Sequence, residues 1–516
     1  MTGRVGNTAA DAVPVDGQSE QMRRTLVLLT VSLCTMLYSL TVTIVNVTLP
    51  QLQGALSATP DQVAWVVTLN LVATAVVTPM TGWLVGRFGR RPVMIWSVFG
   101  FALSSLLCAT ATSLAPLLVY RIGQGAFGAP LVPLSQALIV ATYPEKDRAM
   151  AQGFFGMSVV LGPAIGPVFG GYLAEDYGWR WVFLLIVPLS LAALVMVLAF
   201  IRDGDRKADA RLDWTGFLSL SIAVTCLQLV MDRGERLDWF GSNEIILLTA
   251  LMALSFYVFL AHSFTAERPF ISLSLFLDRN FSIALLIVFV YGMLNFTPIV
   301  LLPPLLQNLN GYPDGVIGWL LAMRGFGLVL GFFLAGRMGR FDPRVGLLIG
   351  MTLVAISGVM LMDFSFDTSV SALAWMGLIQ GLGCGLMWVP LSMVAFASLK
   401  PERLPEASAI FHLLRNFGSS IFISISVMAA VRTTKITHAE LAENVSPLNE
   451  TLRFPEAVGN LALDGIRGLP ALAAEIDRQA QLIGYLNAFL LYTAAAVLTM
   501  PFLFFVVVKR APLSNR

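Results

Sequence analysis

Charge is scarce in this sequence. Asp, Glu, Lys and Arg together make up 12% of its 516 residues, while 57% are hydrophobic. A soluble domain carries about 25% charge, so this composition excludes water as the main solvent and implies lipid. The net charge of +2 says nothing about partners, and no nucleic acid is expected among them. Only four cysteines occur, Cys34, Cys108, Cys226 and Cys384, each inside an apolar stretch and none at metal-ligand spacing. They read as small core residues, and neither a metal site nor a cofactor is expected. Histidine is rarer still, with three residues: His262, His412 and His438. There is no phosphate-binding loop and no Ser/His/Asp set in a shared aqueous pocket, so an enzyme has little to work with. Without a nucleotide-binding domain, ATP-driven transport by this chain alone is excluded.

One further absence bears on mechanism. No Asp or Glu stands near the middle of a long apolar stretch; Asp61, Asp232 and Asp363 lie at the ends. A cleavable signal peptide is not evident either. Residues 1–24 read as a disordered cytoplasmic N-terminus, and the first apolar segment after them is too long for a signal-peptide core.

Long apolar runs are what the sequence has in abundance. A bilayer span needs about 20 mostly apolar residues. About fourteen candidates are centred near Leu37, Ala73, Leu103, Ser135, Val160, Leu191, Ala223, Leu254, Val288, Leu328, Ala355, Cys384, Ile421 and Ala495. Connections are short except at residues 202–213 and 432–481. Alternate connections hold 22 Lys and Arg against 8 on the other side, and five of those eight sit in the 432–481 stretch. By the positive-inside rule both termini are expected to be cytoplasmic and the 432–481 loop external.

The chain also repeats itself. Gly86-Arg87-Phe88 recurs as Gly339-Arg340-Phe341, Gln124-Gly125 as Gln380-Gly381, Pro133-Leu134-Ser135 as Pro390-Leu391-Ser392, and Pro144-Glu145 as Pro401-Glu402, at offsets between 253 and 257. That offset equals eight spans. Internal repeats are common in transporters, and this one implies an all-α membrane protein in a 6+2+6 arrangement. The expected units are a six-helix bundle over 25–201, a linker and two inserted helices over 202–265, and a second six-helix bundle over 281–510.

Four stretches carry motifs. The first, Gly82-Trp-Leu-Val-Gly86-Arg87-Phe-Gly89-Arg90-Arg91, is a glycine- and arginine-rich loop between spans 2 and 3 whose glycines permit a tight turn. Arg121-Ile-Gly-Gln124-Gly125 places an arginine inside span 4. In span 5, Gly153, Gly162, Gly166-Pro167 and Gly170-Gly171 follow the spacing G-x8-G-x3-G-P-x2-G-G. Such small residues let another helix approach closely, and the proline bends the helix. In span 1, Thr41-Val-Thr43-Ile-Val-Asn46-Val-Thr-Leu-Pro50 offers uncharged donors. Together with Asp232–Phe240, Ser274–Phe281 and Pro401–Leu404 leading to Arg415-Asn416, these stretches resemble the major facilitator superfamily. Within it they resemble the fourteen-span drug:proton antiporters, above all the EmrB-type multidrug efflux permeases, over roughly residues 25 to 510. This sequence departs from that pattern twice: Gly86 replaces the acidic residue of the loop motif, and Thr41 stands where an aspartate is usual.

The resemblance implies proton-driven efflux of amphiphilic drugs by alternating access, with the span-5 face sealing the cavity. It also implies a periplasmic adaptor protein and an outer-membrane channel as partners, with the 432–481 loop as a docking candidate. Read residue by residue, Thr41, Thr43, Asn46, Arg121, Gln124, Arg324 and Arg415 are candidates to line a midplane cavity. Arginines without carboxylates point to acidic or anionic substrates, because each offers five donors and a fixed charge. Alternatives remain for each group. Arg121 can be structural, Arg415, about one turn into span 13, can snorkel to the surface, and Thr41, Thr43, Asn46 and Gln124 can bond between helices. His412 is a candidate proton site, as are the protonated substrate and a rim acid. Two other functions stay open: a dedicated exporter of one endogenous metabolite, lipid or siderophore, and a non-transporting membrane sensor.

Overall fold

A computed structural model describes residues 17–203, 211–267, 269–338, 342–443, 445 and 468–506. The second copy of the repeated Gly-Arg-Phe, at 339–341, lies outside them. The described residues are helical and contain no strand. The long helices are α1 (Gly17–Ile44), α2 (Pro60–Phe88), α3 (Arg90–Thr110), α4 (Leu114–Thr142), α5 (Glu145–Tyr177), α6 (Arg180–Phe200), α7 (Trp214–Arg233) and α8 (Asn243–Thr265). They continue with α9 (Arg279–Leu309), α10 (Asp314–Arg337), α11 (Pro343–Met362), α12 (Val370–Phe396), α13 (Leu404–Glu443) and α14 (Gly468–Thr499). Thirteen helices among the described residues are long and apolar enough to cross a membrane; the remaining expected span is α5, 33 residues long, which that number does not include.

The sequence repeat reappears as a repeat of packing. In the first half α1 packs on α5, α2 on α4, and α3 on both α4 and α6. In the second half α9 packs on α13, α10 on α12, and α11 on both α12 and α14. Each pairing is the other shifted by eight helices. Close approach is permitted by glycine: a Cβ on Gly125 would come within 2.4 Å of the Asn70 carbonyl, and one on Gly381 within 2.0 Å of the Arg324 carbonyl. Gly125 and Gly381 are repeat mates.

Two expectations about chain ends need correction. Helix α1 begins at Gly17, so residues 17–24 are helical rather than disordered, while residues 1–16 lie outside the described residues. In the 432–481 segment, α13 continues to Glu443, past the expected start of the loop, whereas α14, starting at Gly468, covers residues 469–482, which read from the sequence as an amphipathic helix. Helical hydrogen bonding thus runs past the apolar stretch at both ends of this connection; 444 and 446–467 lie outside the described residues.

The inserted pair α7–α8 packs against both halves. Thr68 Oγ1 of α2 donates to Asp232 Oδ2 at 2.5 Å, and Ser424 Oγ of α13 donates to the Met231 carbonyl at 2.9 Å. At its other end the insert is tied down by Asp213, the N-cap of α7. One carboxyl oxygen accepts from Gly216 N–H at 3.0 Å and meets His262 Nε2 at 2.8 Å; the other accepts from Phe270 N–H at 3.0 Å. Burial works to raise the Asp213 carboxyl, but these hydrogen bonds outweigh it and hold the group below its ordinary range. A carboxyl lowered by folding contributes stability above its unfolded value, about 3.9, and that contribution is lost as pH falls through the folded value. Asp213→Ala is expected to cost about 1 kcal/mol. The check is the thermal midpoint of the purified protein between pH 7 and pH 3: the variant should start lower and lose less on acidification than the parent.

Candidate functional site

Two of the three membrane arginines are engaged inside their own halves. Arg121 is 1% exposed. Its Nε donates to the Val66 carbonyl of α2 at 2.9 Å, and Nη1 donates to Gln124 Oε1 at 2.5 Å. Gln124 Nε2 donates to Ser105 Oγ of α3 at 2.7 Å, and Asn70 Nδ2 donates to the Arg121 carbonyl at 3.0 Å. The guanidinium therefore ties α4 to α2 and, through Gln124, to α3. In the second half Arg324 Nε donates to Gln380 Oε1 at 2.5 Å, and Nη2 reaches the carbonyl and Oδ1 of Asn295 at 2.6 and 2.8 Å. Gln380 Nε2 donates to the Leu294 carbonyl at 2.9 Å. A charge buried at membrane depth is costly unless its donors are satisfied, and here amides and carbonyls satisfy them.

Gln124 and Gln380 are repeat mates, 256 residues apart, but their arginines are not. Arg121 comes from span 4, whereas Arg324 comes from span 10, the counterpart of span 2. Gly377 occupies the place matching Arg121, and a Cβ there would sit 3.5 Å from Arg324 Cβ. Two different helices thus supply the same guanidinium–amide pair.

Arg415 is placed differently. Because α13 starts at Leu404, Arg415 lies about three turns, or ~16 Å, along the helix, deeper than the one turn expected from the sequence. It is partly exposed. Nε and Nη2 share one acceptor, Asn416 Oδ1, at 3.4 and 3.1 Å. The guanidinium lies 5.7 Å from the Trp388 ring and 6.0 Å from the Phe296 ring. Among the described residues it forms no ion pair. Tyr38 of α1 lies within electrostatic reach of Arg415 and Arg121, and Tyr291 of α9 within reach of Arg415 and Arg324. These tyrosines are repeat mates 253 residues apart, so a self-comparison of the sequence at that offset would have found them.

The span-1 donors do not gather around Arg415 through hydrogen bonds. Thr41 is buried and donates to the Leu37 carbonyl of its own helix at 2.9 Å. Thr43 donates to the Leu40 carbonyl at 3.2 Å and faces α5 at Gly166. Asn46 is exposed and begins the 3-10 turn Asn46–Thr48 that follows α1.

His412 joins the two halves. It is 2% exposed, and its Nε2 lies 2.6 Å from Gln136 Oε1 of α4, which also accepts from Ser408 Oγ at 3.2 Å. Its ring lies 5.8 Å from that of Trp388. Gln136 and Trp388 were not singled out in the sequence, since nothing local marks a contact across 276 residues.

The glycine motif of α5 serves two partners. Cβ atoms on Gly162, Gly166 and Gly170 would meet α1, at Leu40 N (2.6 Å), Thr43 Oγ1 (2.5 Å) and Ile44 Cγ1 (2.6 Å). A Cβ on Gly153 would meet the Phe332 carbonyl of α10, at 2.8 Å. Gly171 is partly exposed, and the side chain of Pro167 lies outside what is described. In the loop motif, a Cβ on Gly82 would meet Glu406 of α13 at 2.8 Å, whereas Gly86 has open space. Gly89 turns the chain at φ +94°. Arg90 donates to the Pro401 carbonyl at 3.0 Å and Arg91 to the Leu198 carbonyl at 2.8 Å; Arg87 is exposed. The contacts between halves at Gly153, Gly82 and Arg90 all lie at the end of the bundle that carries the arginine-rich loops.

Two repeated six-helix bundles with two inserted helices, joined by close glycine contacts, make up the fold of a membrane transporter. The sequence profile of the Major Facilitator Superfamily matches residues 31–285 and 284–433, and the chain belongs to that superfamily, among the EmrB-type proteins. It is 35% identical to the multidrug export protein EmrB of Escherichia coli (strain K12), over 82% of this chain and 84% of that one. It is 30% identical to the fatty acid resistance protein FarB of Neisseria gonorrhoeae, over 92% and 94%. The crystal structure of the human organic anion transporter MFSD10 superposes with a TM-score of 0.60 at 15% identity, covering 94% of this chain and 99% of that one. The protein is accordingly a multi-pass protein of the bacterial inner membrane.

Two outcomes follow from this geometry. Gly162→Ala should cripple the α1–α5 contact, because backbone blocks the new methyl, while Gly86→Ala should leave the protein unchanged; expression and thermal stability of each in detergent decide this. Arg324→Ala should cost about 1–3 kcal/mol by leaving Gln380 and Asn295 without their partner, visible as a lowered thermal midpoint even with no substrate present.

Proposed function

We propose that this protein exports hydrophobic acidic or anionic compounds from the bacterial cell, driven by inward proton flow. The observation that carries the reading is Arg415: a cation at membrane depth, framed by Trp388 and Phe296, whose Nε and Nη2 share a single amide oxygen. An apolar body can lie on such rings while a carboxylate takes the open donors. Arg121 and Arg324 hold their own halves together through their hydrogen bonds, and Arg324 also lines a small recess with Gln380. The name of FarB, for fatty acid resistance, supports this substrate class; EmrB supports breadth.

Transport proceeds by rocking of the two six-helix halves about the cavity. The contacts of Gly153, Gly82 and Arg90 lie at the end expected to face the cytoplasm, which supports reading this conformation as closed to the cytoplasm. His412 is the proton site in this scheme. Gln136 Oε1 is an acceptor, so His412 Nε2 must be its donor. In the neutral ring Nδ1 is then the bare atom, and it has no partner among the described residues. A proton arriving at Nδ1 makes a cation on the same helix as Arg415, while Nε2 goes on donating to Gln136 across the halves. The 432–481 connection, into which the ends of α13 and α14 extend, is in this scheme the surface that meets a periplasmic adaptor leading to an outer-membrane channel.

Proteoliposomes containing only this protein test the reading. A hydrophobic weak acid should trigger proton flux, and Arg415→Gln should reduce it about tenfold or more without lowering the thermal midpoint. Arg415→Lys should recover part of it. Equal flux with a lipophilic cation would remove the anionic preference, and unchanged pH dependence in His412→Asn would remove His412 as carrier.

A further inference from the structure

A recess lies on the outside of the contact between α5 and α10. At the end of the bundle with the arginine-rich loops, it has a volume of about 110 Å³ and opens toward the lipid face. Met150, Phe154, Met157, Phe332, Phe333 and Arg337 line it. Gly153 and Gly336, also in its wall, keep the two backbones close and the floor shallow. Phe154 is 48% and Phe333 42% exposed, whereas Phe332 is buried at 2% and forms the contact with Gly153 and Gly156. The recess approaches the size of dry apolar cavities, about 150 Å³, that accept a benzene ring. Its one charged group is Arg337, whose guanidinium stacks 3.8 Å from the Phe333 centroid. Among the described residues Arg337 forms no ion pair.

An apolar slot with a single cation at its rim has a defined complement: one hydrocarbon chain or ring bearing one negative head group. We propose that this recess is a docking site for a single-chain anionic amphiphile, such as a fatty acid, held by Arg337 from the adjoining lipid leaflet. The proposal rests on the acid-export reading and extends it, because the recess shares Gly153 and Phe332 with the seal between halves. Parting of α5 from α10 would join the slot to the interior and give the bound acid a sideways route to Arg415. One chain of an anionic phospholipid would present the same chemistry to the slot, and the test below separates the two sources.

The test is photolabelling in nanodiscs with a diazirine-bearing fatty acid, followed by peptide mapping, with a diazirine-bearing phosphatidylglycerol run in parallel. The fatty acid should label the segments 150–157 and 332–337, and Arg337→Gln should reduce that labelling at least fivefold, with Arg337→Lys close to the parent. Labelling elsewhere, labelling indifferent to Arg337→Gln, or stronger labelling of these segments by the phospholipid overturns the proposal. Weak-acid flux measured on the same preparations separates the two readings. Flux without labelling at the recess removes this site alone, and labelling without flux removes the export function while the site stands.

Discussion

In each half of this transporter a guanidinium is buried in the membrane and satisfied by a glutamine amide and backbone carbonyls. The rest of the structure depends on that constraint. A lone arginine at this depth is costly, by a few kcal/mol at least, so the helices that supply its acceptors cannot drift. Arg121 with Gln124 fixes α2, α3 and α4 against one another; Arg324 with Gln380 and Asn295 fixes α9, α10 and α12. Each half is thereby made stiff without a carboxylate, and no proton is needed to keep it so. The contacts between halves are of another kind: glycine against backbone, one arginine to a carbonyl, and the His412–Gln136 hydrogen bond. With Ser408, which also donates to Gln136, these contacts are mostly uncharged, which suits an interface that must open.

This division of labour changes how the arginines read. Three cations at membrane depth in a sequence without mid-span carboxylates look equivalent. Folding spends the donors of two of them inside the halves and leaves those of the third largely open beside aromatic rings. The two positions where the resemblance leads one to expect an acidic residue, 41 and 86, take no part in the contacts between halves. Thr41 bonds its own helix, and Gly86 faces open space at a loop whose cross-half contacts are made by Gly82 and Arg90 instead.

Much of the fold was legible because its signals are local or periodic. Apolar runs gave the helices, the 253–257 offset gave the repeat that the packing reproduces, and the spacing of Gly153, Gly162, Gly166 and Gly170 gave a face for close helix approach. The site was legible only by residue type. Arg121, Arg324 and Arg415 stood out as charges, but their separate fates hinge on partners such as Val66, Asn295 and Trp388, which are apolar or unremarkable in sequence. The depth of Arg415 was missed because α13 starts with Leu404-Pro405, ahead of the apolar run. The pair Tyr38 and Tyr291 escaped notice because tyrosine in a span is ordinary until the repeat offset is applied to it.

The central claim is that two internally locked halves move against each other. The most direct measurement is the distance distribution between spin labels on exposed positions in the reconstituted protein. One label pair, at Lys146 of α5 and Val345 of α11, reports across halves; a second, at Phe88 of α2 and Lys146, reports within one. On imposing or collapsing a proton gradient with a weak acid present, the first distance should shift by several ångströms while the second stays fixed. A fixed distance across halves, or a change within the first half as large as that between them, would contradict the account.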